Sequence, residues 1–296
     1  MFPREAVCCD QERKSVRVCR FFRNKLENTD LIISGTEAKR GEFPHMALIT
    51  YKSKGHEKRC GGSLISERFV LSAAHCFPSS KEIKSTLRVY LGGLRYPADA
   101  DSIDINKIKK MESIQIHQVS DVIIHPEFKT EPEQYNDIAL LMLKESVNYT
   151  NDVLPACLYD KDVRKGTVLT ATGWGVTDPA GSLPSENLMT VKLVEFDMDE
   201  CKRNLSNEES YKGKIKYGVL PTMLCAWDEG GGDTCRGDSG GPLSFKPVAA
   251  TQIHSIVGIT SFGPNPCSSN IPSIYTRVSK YLNWIECLVW PNITQQ

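Results

Sequence analysis

The feature that most constrains this chain is a glycine-rich segment, residues 230–243. It places Ser239 among glycines, directly after Asp238 and four residues after Cys235. Glycine adopts backbone conformations that other residues avoid, so Gly237 can let its own N–H and that of Ser239 point into one small space. Two such donors can stabilise the oxyanion that forms when a hydroxyl attacks a carbonyl. The segment therefore predicts a serine nucleophile, which needs a base and a group that orients this base.

Two other segments can supply the base and the orienting acid. His75 ends an apolar, strand-like run and is followed by Cys76, while Asp137 opens a buried-strand pattern. Imidazole titrates near neutral pH, so His75 can accept and return one proton. The five remaining histidines lack this context, and we interpret them as surface or structural residues: His45, His56, His117, His125 and His254.

In the order His, Asp, Ser, these segments resemble the chymotrypsin-like (trypsin-fold) serine endopeptidases over most of the chain. The resemblance implies that Ser239 is the nucleophile, that His75 is its base and that Asp137 fixes the imidazole tautomer. It implies that the N–H groups of Gly237 and Ser239 form the oxyanion hole. It also implies that Ser261 supports Asp137 with a hydrogen bond.

The same resemblance indicates a specificity pocket lined by Ser261, Gly263 and Ser273, with Asp233 at its base. Asp233 matches the position that makes trypsin-like enzymes cut after Arg or Lys, since a carboxylate in a narrow pocket needs a cation. Ser273 stands where the family usually has glycine. Its hydroxymethyl group narrows the pocket, so we expect either lower activity or a bias between Lys and Arg.

Asp238 suggests activation by cleavage. A carboxylate that is buried in the active form needs a partner. In the family this partner is the α-amine freed when the chain is cut before the mature domain, here between Leu31 and Ile32. The start Ile-Ile-Ser-Gly resembles that of the family, which more often has glycine in place of Ser34. Cleavage would order the oxyanion hole and the pocket. Because Leu31 is not basic, we expect an activating protease that accepts leucine.

Short strands separated by turn residues favour an all-β chain, and the resemblance implies two antiparallel Greek-key β-barrels with a C-terminal α-helix. We predict this helix over residues 279–288, with Ser279 as its N-cap, packed on the second barrel. The polar stretch 95–117 is predicted to be a surface loop, and its aspartates to be a solvated face. We assign no metal and no cofactor.

Eleven cysteines and three Asn-x-Ser/Thr sites indicate a secreted protein in an oxidising compartment. The sites are Asn148, Asn204 and Asn292. Spacing alone does not give the disulfide pairing. The resemblance implies the pairs Cys60–Cys76, Cys201–Cys225, Cys235–Cys267 and Cys19–Cys157. Cys8 and Cys9 would then pair with an upstream module, and Cys287 is left free, mispaired or joined to another molecule.

Residues 1–9 resemble the end of a clip domain, the disulfide module of many arthropod serine proteases; the alternative is a disordered tail. We predict a linker and activation segment over 10–31 and the protease domain over 32–296. The sequence segment 41–49 resembles the corresponding segment of clip proteases of the snake and persephone type. The N-terminus lacks the apolar segment of a signal peptide, so we expect the sequence to begin downstream of the natural start.

The chain carries 36 acidic and 36 basic residues, which gives no reason to expect binding to nucleic acid or anionic membranes. No apolar run approaches the ~18 residues of a membrane span. The prediction is a secreted, zymogen-activated serine endopeptidase of an extracellular cascade in innate immunity, melanisation or development. Its partners would be downstream zymogens, an upstream activator and serpin-type inhibitors.

Two alternatives stay open. An inactive protease homologue acting as a cascade adaptor predicts a substitution in the triad, and the sequence has none. A digestive protease is disfavoured by the N-terminal cysteines, Cys8, Cys9 and Cys19.

Overall fold

The fold is known from a computed structural model, which describes most of the chain from residue 12 to residue 291. The described residues are 12–25, 37–77, 83–96, 114–129, 133–177, 184–206, 208, 211, 213–228, 230, 232–247, 252–264, 267 and 271–291. The predicted clip remnant, the predicted cleavage site at Leu31–Ile32 and the glycosylation site at Asn292 lie outside them.

Six antiparallel strands close the first barrel in the order β1-β2-β3-β6-β5-β4. They are β1 Met46–Ser53, β2 His56–Leu64, β3 Phe69–Ser72, β4 Arg88–Leu91, β5 Gln115–Ile124 and β6 Ala139–Leu143. The loop prediction for residues 95–117 is wrong at its end, because β5 begins at Gln115 and pairs with β4 there. Residues 97–113 of that stretch lie outside the described residues.

The second barrel has the strand order β11-β8-β9-β10-β13-β12 and is closed by pairing of β11 with β12. Its strands are β8 Val168–Gly173, β9 Met189–Phe196, β10 Met223–Trp227, β11 Pro242–Phe245, β12 Ser255–Phe262 and β13 Ser273–Arg277. The short strand β7, Cys157–Leu158, extends this sheet by pairing in parallel with β12. The predicted architecture of two antiparallel barrels is therefore confirmed.

Three α-helices accompany the barrels within the described residues: α1 Lys14–Lys25, α2 Met198–Leu205 and α3 Leu282–Val289. The C-terminal helix α3 exists as predicted, but its predicted start is wrong. Ser279 lies in a preceding 3₁₀ turn, and its hydroxyl donates to Asp162 at 3.4 Å instead of capping the helix. Leu282 and Ile285 join an apolar cluster that holds most core residues of the first barrel and also Ile256 and Ile259 of β12, so the helix packs on the first barrel as well as on the predicted second one.

Helix α1 lies in the segment predicted as a linker and is held against the back of the barrels. A disulfide joins Cys19 to Cys157 of β7. The hydroxyl of Ser15 donates to Glu286 of α3 at 2.6 Å, and the ammonium group of Lys14 donates to the carbonyl of Trp290 at 3.0 Å. The sequence analysis did not identify this helix, whose contacts are almost all with residues distant in sequence.

Four disulfides join cysteines of the described residues, and they are the pairs that the resemblance implies. The other three are Cys60–Cys76, Cys201–Cys225 and Cys235–Cys267. Cys287 of α3 takes part in none of them. Two of the bridges fix segments beside the predicted triad, because Cys76 follows His75 and Cys235 precedes Ser239 by four residues.

In the described part of the chain, no helix is long and apolar enough to cross a bilayer.

Candidate active site

The three predicted catalytic residues meet where the two barrels face each other. His75 lies in a 3₁₀ turn, Ala74–Cys76, just after β3, and Asp137 lies just before β6. Since β3 and β6 are antiparallel neighbours, these two positions fall at the same edge of the first barrel. Ser239 precedes β11 of the second barrel, and its carbonyl accepts a hydrogen bond from the Gly61 N–H of β2 at 2.7 Å.

Asp137 orients the His75 ring from a buried position. Its Oδ2 is 2.7 Å from His75 Nδ1, and its Oδ1 accepts from the His75 backbone N–H at 2.9 Å. The hydroxyl of Ser261 donates to the same Oδ2, and Thr276 Oγ1 donates to the Asp137 carbonyl at 2.8 Å. Since an ionised carboxylate only accepts, Nδ1 carries the proton and Nε2 is left with its lone pair.

The charges of the two side chains support each other. Burial disfavours the Asp137 carboxylate, but the charge and hydrogen bonds of His75, together with Ser261, outweigh burial and lower its pKa. Burial also opposes protonation of His75. The charge and hydrogen bond of Asp137 outweigh this, so the His75 pKa is raised, although the positive charge of Lys214 opposes the rise. The pair therefore favours the state in which His75 has taken a proton.

Ser239 and His75 line one cleft of about 330 Å³, together with Ser261, Phe262 and Gly263. Among the hydrogen bonds of the described residues, none joins His75 Nε2 to Ser239 Oγ. Such bonds are often long without substrate and tighten when it binds. The chemistry that the cleft can perform is attack of an activated serine hydroxyl on a carbonyl carbon.

The backbone beside Ser239 contains the two N–H groups that the resemblance assigns to an oxyanion hole. Gly237 adopts φ +100°, which is unfavourable for a residue with a side chain. The Asp238 N–H donates to the Cys235 carbonyl at 3.0 Å. No hydrogen bond within the described residues uses the N–H of Gly237 or Ser239. These two donors can therefore be used by a substrate oxyanion.

Asp238 is half-buried and lines a second cavity, of about 400 Å³. Its carboxylate accepts from the Gly175 N–H at 2.8 Å and from the Cys235 N–H at 2.9 Å. Burial raises its pKa to about 6, even though these two donors act in the opposite direction. No cation of the described residues forms an ion pair with it. The cavity is lined by residues of β8, β9 and the segment before Ser239.

Asp233 contributes to the cavity of Asp238, whereas the lining of the Ser239 cleft does not include it. Its Oδ1 accepts from the Ser273 hydroxyl at 2.7 Å. Ser273 is 1% exposed, and its Oγ lies 2.5 Å from the point where a Cβ on Gly263 would stand. The Ser273 hydroxyl thus lies between the wall at Gly263 and the Asp233 carboxylate, and only glycine fits at 263.

Sequence reasoning missed several residues that line the Ser239 cleft, among them Gln134, Lys214, Phe262 and Arg236. Phe262 and Arg236 could have been found, because they adjoin predicted site residues. Lys214 carries no sequence signal, since only the fold brings its loop to the cleft. Of the other histidines, His45 and His254 are buried together with ring centres 5.0 Å apart, and neither lines the cleft.

Within the described part of the chain, no group of three or more His, Cys, Asp or Glu side chains is placed so that it could hold a metal ion.

Comparison with known proteins identifies similar chains. A family model described as Trypsin matches residues 32–285. The chain is 36% identical to Serine protease Hayan of Drosophila melanogaster over 96% of its own length and 43% of that protein. It is 31% identical to CLIP domain-containing serine protease B4 of Anopheles gambiae, covering 96% of this chain and 81% of that one. The chain thus spans less than half the length of Hayan.

A solved structure of neuropsin, a serine protease expressed in the limbic system of mouse brain, has a similar fold. The TM-score is 0.68 at 26% identity, over 87% of this chain and 100% of the neuropsin chain.

Proposed function

Because this chain belongs to the trypsin family, as a serine endopeptidase of the arthropod clip-domain type, we propose that it cuts proteins after Arg or Lys in an extracellular cascade. The observation that carries the proposal is the buried hydrogen-bond network of Asp137, His75 and Ser261 beside Ser239. Such a network is what a serine hydroxyl needs in order to become a nucleophile.

In the proposed reaction, Ser239 Oγ attacks the carbonyl carbon of the scissile bond and passes its proton to His75 Nε2. Asp137 stays ionised and stabilises the imidazolium. The N–H groups of Gly237 and Ser239 hold the oxyanion. His75 then gives the proton to the leaving amine, which leaves an acyl group on Ser239. A water molecule, deprotonated by His75, releases the second product and restores the hydroxyl.

The basic preference rests on Asp233. A buried carboxylate binds a guanidinium or ammonium group strongly and is left without a cationic partner when a neutral side chain enters. In the described state, Ser273 separates Asp233 from the pocket wall at Gly263. We propose that activation opens the pocket, so that a substrate Arg or Lys reaches Asp233.

Activation is proposed to follow cleavage between Leu31 and Ile32, at the boundary between an N-terminal segment 10–31 and a protease domain 32–296. The new α-amine would enter the cavity beside Asp238 and pair with its carboxylate. The raised pKa of Asp238, about 6, supports this step, because a desolvated carboxylate without a cation is costly when ionised. We propose that the activating protease cuts after Leu31 and therefore accepts leucine before the scissile bond. Residues 1–9 are proposed to be the end of a clip domain.

The cellular setting is proposed from the family alone. Downstream zymogens are the expected substrates, in innate immunity, melanisation or developmental signalling, with serpin-type proteins as inhibitors. The four disulfides fit a secreted protein. Asn148 and Asn204 are both exposed, as N-glycosylation requires.

The proposed activity is tested by replacing the residues before Ile32 with a site for a commercial protease and cutting it. Peptides with Arg, Lys, Leu or Phe before the scissile bond are then assayed. We expect cleavage of the Arg and Lys peptides that disappears in Ser239→Ala. Cleavage of Leu or Phe peptides instead would refute the basic preference. A folded, correctly cut chain that cleaves none of them would favour the adaptor alternative.

Asp238 also predicts an unusual pH dependence of stability in the uncut chain. Its folded pKa, about 6, lies above the ordinary aspartate value of 3.8, so its stabilising contribution is complete below about pH 4 and is lost as pH rises through 6. Two pKa units correspond to about 3 kcal/mol. Denaturant unfolding of Ser239→Ala chains at pH 4 and 7 measures this loss.

The matched control is the same chain with Asp238→Asn added, which removes the titrating group. It should lose about 3 kcal/mol less between the two pH values. After cleavage before Ile32 the sign should reverse, since the amine stabilises the ionised carboxylate. Identical pH dependence with and without Asp238 would contradict the assignment.

A further inference from the structure

Lys214 lies at the catalytic cleft, next to the residue that follows Ser261 in the cleft wall. Its ammonium nitrogen is 5.4 Å from the ring centre of Phe262, which directly follows Ser261. Both Lys214 and Phe262 line the same cleft as His75 and Ser239. A cation is therefore placed on the surface that a bound polypeptide must cross.

The charge of Lys214 is not neutralised within the described residues. No ion pair joins Lys214 to a described carboxylate, whereas the nearby Lys216 and Lys129 both pair with Glu133, at 3.8 and 3.6 Å. The described residues that line the cleft include one further cation, Arg236, and no carboxylate. Substrate side chains in this cleft therefore meet a positive surface.

The backbone around Lys214 is fixed before substrate arrives. The Gln134 N–H donates to the Lys214 carbonyl at 3.0 Å, which joins its loop to the segment before Asp137. The hydroxyl of Tyr135 donates to the Gly218 carbonyl at 3.0 Å and accepts from the Tyr217 N–H at 2.8 Å. Little ordering of this backbone is needed when an acidic group binds.

We propose that Lys214 forms a subsite for a carboxylate side chain, so that this protease favours substrates with Glu or Asp about two to four residues before the scissile bond. The inference rests on the proposed cleavage of an extended peptide whose basic side chain enters beside Gly263. Such a peptide runs along Ser261–Gly263, and its earlier residues pass over Phe262 beneath the ammonium group of Lys214.

The size of the effect follows from the exposure of the pair. An ion pair at a solvent-exposed rim contributes modestly, and a cation over an aromatic face is partly desolvated when the substrate covers it. We therefore expect a Glu peptide to exceed its Gln counterpart about 3- to 10-fold in kcat/KM at low salt. The advantage should shrink at high salt, because the Debye length falls to about 3 Å at 1 M.

The experiment uses the cleaved, active chain and peptides with Arg before the scissile bond. Glu, Gln or Lys occupies each of the three preceding positions in turn. Lys214→Gln should abolish the Glu advantage, Lys214→Arg should keep it and Lys214→Glu should transfer it to the Lys peptides. Lys216→Gln is the matched control, since Lys216 also lies 5.4 Å from a ring, that of Tyr217, but pairs with Glu133 and does not line the cleft.

A second measurement separates a charge role from a structural one. Because Lys214 opposes protonation of His75, Lys214→Gln should move the acid limb of the kcat/KM profile of a neutral peptide to higher pH. Lys214→Arg should leave the limb in place.

Equal cleavage of Glu and Gln peptides by the unaltered chain would overturn the inference, and so would a Glu advantage that survives in Lys214→Gln. Failure of the proposed function gives a different result. If the chain cuts after Leu or Phe instead of Arg, the basic preference is wrong, and the Glu–Gln comparison on those peptides still decides the role of Lys214.

Discussion

Replacing Asp137 by asparagine is expected to lower kcat about 10⁴-fold while leaving the fold intact. Asp137 Oδ2 accepts the Nδ1–H of His75, and the Ser261 hydroxyl donates to the same oxygen. An amide NH₂ group at this place donates a hydrogen bond instead of accepting one. Nδ1 of His75 must then be the unprotonated acceptor, and the ring proton lies on Nε2. In that tautomer His75 cannot accept the proton of Ser239.

The loss is measured as kcat with an Arg peptide, using Ser239→Ala to define the background rate. Denaturant unfolding at pH 8 checks that the Asp137→Asn chain is folded. Ser261→Ala serves as the matched control, because it removes one hydrogen bond from the same carboxylate without changing the tautomer, and should cost only about tenfold. A loss of less than tenfold in Asp137→Asn would contradict the assigned role.

The residues of the proposed triad were identified through the family resemblance, and the backbone around two of them explains the motifs that carry it. The turn before β11 needs φ +100° at Gly237, and Cys76 bridges to Cys60 directly beside His75. These requirements explain why a glycine stands close to Ser239 and a cysteine stands next to His75 in the sequence. The short strands and glycine turns favour an all-β chain, and the family resemblance implies its arrangement in two barrels.

The N-terminal helix and the start of the C-terminal helix were beyond sequence reasoning, because distant contacts determine both. Residues 14–25 mix basic and apolar side chains, and their helix is held by Cys157, Glu286 and Trp290. Ser279 has the chemistry of an N-cap, but Asp162 uses its hydroxyl. In each case a tertiary partner, absent from the local pattern, decides the outcome.

The specificity pocket shows the limit most clearly. The family resemblance implies that Asp233 and Ser273 belong to the pocket, but it does not show that their side chains form a hydrogen bond with each other. The structure adds that the Ser273 hydroxyl donates to Asp233 Oδ1 and that Asp233 borders the cavity of Asp238. The carboxylate that is proposed to select Arg or Lys and the carboxylate that is proposed to sense activation therefore line one cavity.

Asp233→Asn in the cleaved chain is expected to lower kcat/KM for Arg and Lys peptides about 10⁴-fold, because the buried guanidinium or ammonium group then lacks its counter-charge. Peptides with Leu or Phe should change little, so the selectivity falls by the same factor. The measurement is kcat/KM on the matched peptide set, with unfolding as a check of the fold. An unchanged Arg-to-Leu ratio would place the specificity determinant elsewhere.

Ser273→Gly should act in the opposite direction and raise kcat/KM for Arg peptides about tenfold. The Ser273 hydroxyl competes with the substrate for Asp233 Oδ1, and a hydrogen bond to a charged group contributes about 1.5–3 kcal/mol. Ser273→Ala separates the effect of the hydrogen bond from that of side-chain volume, because it removes Oγ and keeps the Cβ. This Cβ lies 3.5 Å from the point where a Cβ on Gly263 would stand. Equal gains in both variants would assign the effect to the hydroxyl, and a gain in the glycine variant alone would assign it to volume. Unchanged or reduced activity in both would mean that Ser273 does not obstruct the pocket.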